Sequence, residues 1–472
     1  QMNTIQPFIS ELFSRSLREI VSSRLRESFL GRDIPVESFD VEYLGSASCA
    51  GDERFSVSVR TSRGQLMPAS MAVASVLSEI CSKGIGAEEY LVARNSVLNG
   101  FLRTQTNDAL VLRCVSSYLY GADLASPATK ANFFSSRNMS TKAETELFNG
   151  YTLALLSEME NPKITWTGNE EDYDEWFWPV LFGSVTDGVS MLDKPLYKWP
   201  VTAKDTSAFW NERNKVKMKS VAAEPVSGGE MWTFSNGMKV IYKKMPAAGR
   251  FSYSFMIKGG FSTVRNLPRG EGAFFSDMFG LCNIAGMPGS DFDKVLRANG
   301  VEMSCAVSTS DLRLYGSAPS NRFMLTLKAL LSAANMRKPS LSAFEPWKRM
   351  ELASLKPAYL DSLMYQDYNY SSVKTPSGLT ARTLDDASDF FDNQFIRAND
   401  GVLVIVGDLS AESVQKILCQ YLGGFRVSKS SSVRQFSSYK LRTGATTYSR
   451  IGTPVEISLA LACAEPFTTE NY

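Results

Sequence analysis

The sequence predicts an α+β fold with more than one domain. Three observations predict it: amphipathic helices alternate with short strands, an Asn-Gly hairpin opens a second set of elements near residue 229, and 472 residues that are 44% apolar supply material for several cores. Residues 8–29 form the first predicted helix, with Ile9, Leu12, Phe13, Leu17, Ile20 and Val21 at three-to-four spacing. Two alternating stretches follow. Phe39, Val41 and Tyr43 share one strand face against Asp40 and Glu42, and Phe55, Val57 and Val59 share another against Ser56 and Ser58. Helices are expected at Met67–Ser82 and Ala87–Tyr118. Arg24, Arg26 and Glu27 on the first helix are read as surface ion pairs.

Residues 161–230 resemble a join between larger units. The acidic run Glu170, Glu171, Asp172, Asp174 and Glu175 lacks the alternating oxygen ligands and Gly turn of a calcium loop, and reads as solvated surface. The aromatic group Trp176, Phe177 and Trp178 reads as core. A hairpin is then expected from Met231–Ser235 and Met238–Lys243 around Asn236-Gly237. Strand Phe251–Ile257 ends at Gly259-Gly260. Helices are expected over about 270–284 and at Asp291–Ala298, the latter capped by Ser290 and stopped by Asn299-Gly300. Strands Val301–Val307 and Leu312–Ser317 follow, then helices Arg322–Ala334 and Leu341–Leu355. Val402–Val406 is a continuous apolar strand, and helix Ala411–Leu422 turns Val414, Ile417, Leu418 and Tyr421 inward. Val455–Cys463 is one further strand, expected to belong to an incomplete domain and to pair elsewhere.

Composition excludes several functions. The chain has no histidine, so it holds no Ser-His-Asp triad, no Cys-His pair and no His-ligated zinc. Fifty basic residues against 49 acidic ones leave a net charge of +1, without the basic footprint of a nucleic-acid binder. The seven cysteines are scattered and form no C-x-x-C, so most are expected as buried small apolar residues. No apolar run is long enough to span a membrane. The G-x-G of "RGEGAFF" lacks the Lys-Ser/Thr pair and β-α-β context of a phosphate loop. Asn138 and Asn369 head glycosylation triplets, which matter only in a eukaryotic secretory protein.

The segment "WTFSNGMKVIYKKMPAAGRFSYSFMIKGG" resembles the opening hairpin, strand and Gly pair of a pitrilysin/insulinase-family zinc metallopeptidase domain. "GVLVIVGDLSAESVQKIL" resembles that domain's closing strand-Gly-Asp-helix unit. Residues 1–205 resemble most of a companion domain, with "KGIGAEEYLVARN" similar to its usual helix start. The resemblance implies repeated domains of this family, each a mostly antiparallel sheet with helices on one face. It divides the chain into 1–205, most of a second domain; 206–228, a linker; 229–428, a degenerate third domain; and 429–472, the incomplete start of a fourth. The implied protein is an internal, non-catalytic portion of a large bacterial member.

Active members carry H-x-x-E-H on the helix after the Gly pair, two His for zinc and a Glu as general base, with a further Glu later. Aligned on Gly270 and Met278, "GEGAFFSDM" places Ala273 and Asp277 at the His positions and Ser276 at the Glu position. Glu351 is the remnant expected for the last ligand. A methyl, a hydroxyl and one carboxylate do not make a zinc site, so this chain is expected to hold no metal or cofactor, and zinc is expected in the parent protein's first domain. The implied function is a wall of the peptide-enclosing chamber of a zinc metalloendopeptidase, contacting bound peptide without cutting it. A peptide strand adding to an exposed sheet edge is one contact mode. The alternative is a wholly inactive peptidase homologue serving as a binding or scaffold protein. Expected partners are a peptide or protein substrate and the remaining domains of the parent, with no nucleic acid and no membrane span. Location is expected to be periplasmic or secreted by the same resemblance.

Overall fold

The structure is a computed structural model that describes residues 6–44, 54–62, 64–101, 106–136, 139–157, 163–165, 180–182, 205–356, 368–381, 384–428 and 434–436. The Val455–Cys463 strand, the 170–175 acidic run, Trp176–Trp178, Cys49, Cys463 and Asn138 lie outside these residues. The chain divides into two compact units. The first takes Gln1–Ala208 with Ser290–Glu302 and Glu345–Ser354; the second takes Phe209–Gly289, Met303–Phe344 and Leu355–Tyr472.

The first unit is built on helix α1 (Gln6–Gly31), which packs against the antiparallel pair β1 (Val36–Leu44) and β2 (Arg54–Thr61) and against α2 (Leu66–Lys83), α3 (Ala87–Phe101) and α6 (Thr141–Ser157). Leu12, Leu17, Val21, Leu25 and Phe29 form its buried stripe, as the spacing expects. Phe13 meets Phe148 edge-on at 5.4 Å, and Phe148 stacks on Tyr90 at 4.5 Å. Arg24 is not a surface residue. It is 5% exposed and donates through Nε and Nη2 to both carboxylate oxygens of Glu89, at 2.9 and 2.8 Å. A charge in this core needs such a bidentate partner, and the Glu lies on a different helix, beyond the reach of local spacing. Arg26 instead lies over the Phe39 ring, and Glu27 pairs with Lys294 at 2.5 Å.

The helix expected over Ala87–Tyr118 is two. α3 ends at Phe101, and Thr106 caps a separate α4 (Asn107–Tyr120) by accepting the Ala109 amide at 3.2 Å. α4 buries no residue and exposes Leu110, Val111, Leu112, Tyr118 and Leu119. α5 (Pro127–Ser136) and α6, which the sequence did not predict, are further helices of this unit.

The second unit holds a seven-stranded sheet in the order β3-β4-β5-β11-β6-β9-β8. Its strands are β3 (Met218–Glu224), β4 (Gly229–Phe234), β5 (Lys239–Lys244), β6 (Arg250–Lys258), β8 (Ser304–Val307), β9 (Asp311–Pro319) and β11 (Gly401–Gly407). All pairings are antiparallel except β11 with β5. Part of the 206–228 stretch, read as linker, is therefore the edge strand β3. Its largely exposed side chains give no apolar alternation, and among the described residues it pairs with β4 alone, through a register that shifts between Met218 and Ser220. One sheet face buries Trp232, Phe234, Val240, Tyr242, Leu403, Ile405, Phe255 and Leu314. Helices α9 (Phe323–Asn335), α12 (Leu384–Phe395) and α13 (Ala411–Tyr421) pack in this unit, with Phe251 edge-on to Phe323 and the Tyr242 hydroxyl donating to the Leu409 carbonyl. The fold is α+β with a mostly antiparallel sheet and helices on one face.

Candidate functional site

The site expected from sequence lies just after the Gly pair. Gly260 has φ +59, and a side chain there would strike the 308–311 turn between β8 and β9. That close approach lets the amides of Gly259, Phe261 and Ser262 donate to the carbonyls of Ser310, Ser308 and Thr309 at 2.7–3.0 Å. Gly272 is needed for packing: a Cβ there would come within 2.6 Å of the Phe261 ring.

The helix expected over about 270–284 is shorter and broken. A 3-10 turn spans Gly272–Phe274, α7 runs only from Phe275 to Gly280, and Asn283–Ile284 forms β7, which pairs with β10 (Arg337–Lys338). That pairing takes backbone groups a longer helix would need. Ala273 sits on the 3-10 turn, while Ser276 and Asp277 sit on the first turn of α7.

The three side chains differ in their surroundings. Ala273 is half-buried and offers only a methyl. The Ser276 hydroxyl accepts the Val307 amide at 2.8 Å. Asp277 is ion-paired with Lys374 at 2.8 Å, and that ammonium also lies 5.2 Å from the Phe274 ring centroid. Lys374 and Val307 were not legible as site residues, because each is contributed by a segment distant in sequence. Glu351 lies on α10 (Leu341–Ser354), in the other unit from Asp277.

Zinc does not fit this donor set. It needs three or four N, S or O ligands, and here one position has no donor atom, one hydroxyl is engaged with a backbone amide, and one carboxylate is neutralised by a lysine. Among the described residues, no three His, Cys, Asp or Glu side chains gather where a shared metal ion could sit.

Two thiols flank the segment. Burial pushes the Cys282 thiol up to about 11, against a smaller opposing pull from Arg337. Burial also raises Cys305 on β8 still further, with Arg337 opposing it and Cys282 and Asp277 adding to it. Arg337 itself is held below its usual range by burial and supported by Asp392 at 2.6 Å, with its guanidinium 5.0 Å from the Phe391 ring centroid. Most thiols were expected to be buried; among the described residues only Cys282 is buried, while Cys81, Cys305 and Cys419 are partly exposed and Cys114 is exposed. Asn369 is exposed beside buried Tyr370 and Ser371.

No protein-family model and no curated protein matches the sequence. Solved structures do show likeness. The periplasmic protease PqqL from Escherichia coli matches 91% of this chain and 49% of its own at 16% identity, with a TM-score of 0.42. The ferredoxin protease FusC, solved with Arabidopsis ferredoxin, matches 92% of this chain and 49% of its own at 11% identity and a TM-score of 0.44. A peptidase M16 inactive domain from Pseudomonas fluorescens matches 48% of this chain and 54% of its own at 17% identity and a TM-score of 0.36. The chain spans about half the length of the first two. Among the described residues, no helix is long and apolar enough to cross a membrane.

Proposed function

We propose that this chain is a non-catalytic part of a zinc metalloendopeptidase, forming a wall of the chamber that encloses its peptide. One observation carries the reading. A Gly pair, a short helix after it and a closing strand-Gly-Asp-helix unit are present, and the residues aligned with the zinc and base positions are Ala273, Ser276 and Asp277. Architecture without donors suits a unit that supports hydrolysis carried out elsewhere. Zinc belongs, in this proposal, to another domain of the parent protein, in a periplasmic or secreted setting.

The sheet supplies a surface for peptide. Opposite its helix-covered face, Met231, Ile241, Val404, Ser254, Tyr315 and Ser304 form one row across six strands, half-buried to exposed. Thr233, Lys239, Val402, Met256, Arg313 and Ala306 form the next row. Such a band, apolar with scattered polar groups, can hold extended peptides of varied sequence.

The test joins sequence and activity. The reading expects an intact H-x-x-E-H encoded upstream of Gln1, and peptide cleavage by the longer protein that a chelator abolishes. It also expects the present chain to bind peptide by fluorescence anisotropy without cutting it. A parent with no such motif and no zinc-bearing partner chain would overturn it in favour of a wholly inactive scaffold homologue.

A further inference from the structure

Among the described residues, β8 ends the sheet on one side, where a peptide strand could add. Its ladder with β9 is antiparallel, pairing Val307 with Leu312, Ala306 with Arg313, Cys305 with Leu314 and Ser304 with Tyr315. In such a ladder, successive residues turn their amides alternately toward the partner and away from it. The Ser308 amide bonds the Asp311 carbonyl at 2.8 Å. Ala306 and Ser304 therefore turn inward with Ser308, and Val307 and Cys305 turn outward. An incoming strand would have to pair with those outward groups.

The structure assigns the outward Val307 amide to Ser276. Its hydroxyl accepts that N–H at 2.8 Å. We infer that Ser276 is a latch that closes the β8 edge to an extended peptide. The helix that carries it packs along β8, and the β8–β9 turn is pinned at the other end by the amides of Gly259, Phe261 and Ser262. Asp277 and Lys374 hold the same helical turn from its exposed side.

The opposite edge is guarded by other means. β3 shifts register between Met218 and Ser220, and Lys217 and Lys219 are exposed at that bulge. Bulges and lysines are common ways to keep an edge from pairing. Peptide engaged by this unit is therefore directed to the open sheet face rather than to β8. That last step rests on the proposed peptide-binding role; the latch itself does not.

The experiment separates the two. Hydrogen–deuterium exchange resolved to the β8 segment is compared between the wild-type chain and Ser276→Ala, with Ser276→Thr as the variant that keeps the hydroxyl. Loss of one hydrogen bond corresponds to about tenfold faster exchange at Val307. The latch predicts that acceleration in the alanine variant and its absence in the threonine variant. Equal exchange in the wild type and the alanine variant would overturn it. So would protection of the outward Val307 and Cys305 amides in the wild type on adding a saturating unstructured peptide, which would place a strand on an edge claimed to be shut; peptide lying on the open face leaves those two edge amides as they were. Should the alanine variant fail to fold, that peptide experiment on the wild type still decides. Failure of all peptide binding, with the exchange difference intact, would count against the chamber role and leave the latch standing.

Discussion

Arg24–Glu89 in the first unit and Asp277–Lys374 in the second are ion pairs with the same shortest contact, 2.8 Å. Their surroundings are opposite. Both members of the first are 5% exposed, while the side chains of the second are 40% and 37% exposed. Burial, not distance, separates a structural charge from a solvated one. Removing one partner of a buried pair leaves the other charge poorly compensated (Arg24 would keep the more distant Glu79 carboxylate, at 3.9 Å), whereas a surface pair is screened by water and salt. The half-exposed Asp277 carboxylate is thus energetically minor. The uncharged Ser276–Val307 bond, which closes a sheet edge, matters more.

The comparison can be broken at four points. The largest effect is expected from Glu89→Ala, which should cost about 3–5 kcal/mol in urea denaturation. A loss no larger than that of Asp277→Ala would mean burial does not rank these pairs. Thiol alkylation comes next, followed by mass spectrometry. Burial favours the neutral thiol, so the rise of Cys282 reactivity with pH moves up toward about 11. Near pH 8 its thiolate population should be roughly a hundredfold below that of an ordinary thiol, and exposed Cys114 should be modified first. Early modification of Cys282 would show that the segment around it opens readily. Ser276→Ala should cost about 1 kcal/mol, because the Val307 amide loses its acceptor. Asp277→Asn should cost about 0.5 kcal/mol or less, and the cost should fade at high salt. A salt-insensitive loss would make that pair structural after all.

Much of the fold was legible where periodicity was strong. The α1 stripe, the β4–β5 hairpin around Asn236-Gly237 and β11 with the helix after it were all expected, and they stand at Gln6–Gly31, Gly229–Lys244 and Gly401–Tyr421 with ends shifted by a residue or two. β3 was missed because an edge strand with exposed small residues carries no apolar alternation. The separate start of α4 was missed because Thr106 marks a cap only through its extended backbone, which spacing does not reveal. At the site, the positions of Ala273, Ser276 and Asp277 were legible, but their partners were not. Val307 and Lys374 reach them through tertiary packing, which no local spacing encodes. For the same reason Arg24 read as surface: its partner Glu89 is set by the approach of two helices.

In the proposed reading the segment from Gly270 to Met278 holds structure and carries no metal chemistry. Zinc titration by calorimetry, with the wild-type chain and Asp277→Asn side by side, tests it most directly. The account predicts no saturable micromolar site that depends on Asp277. A stoichiometric site present in the wild type and lost in Asp277→Asn would contradict it.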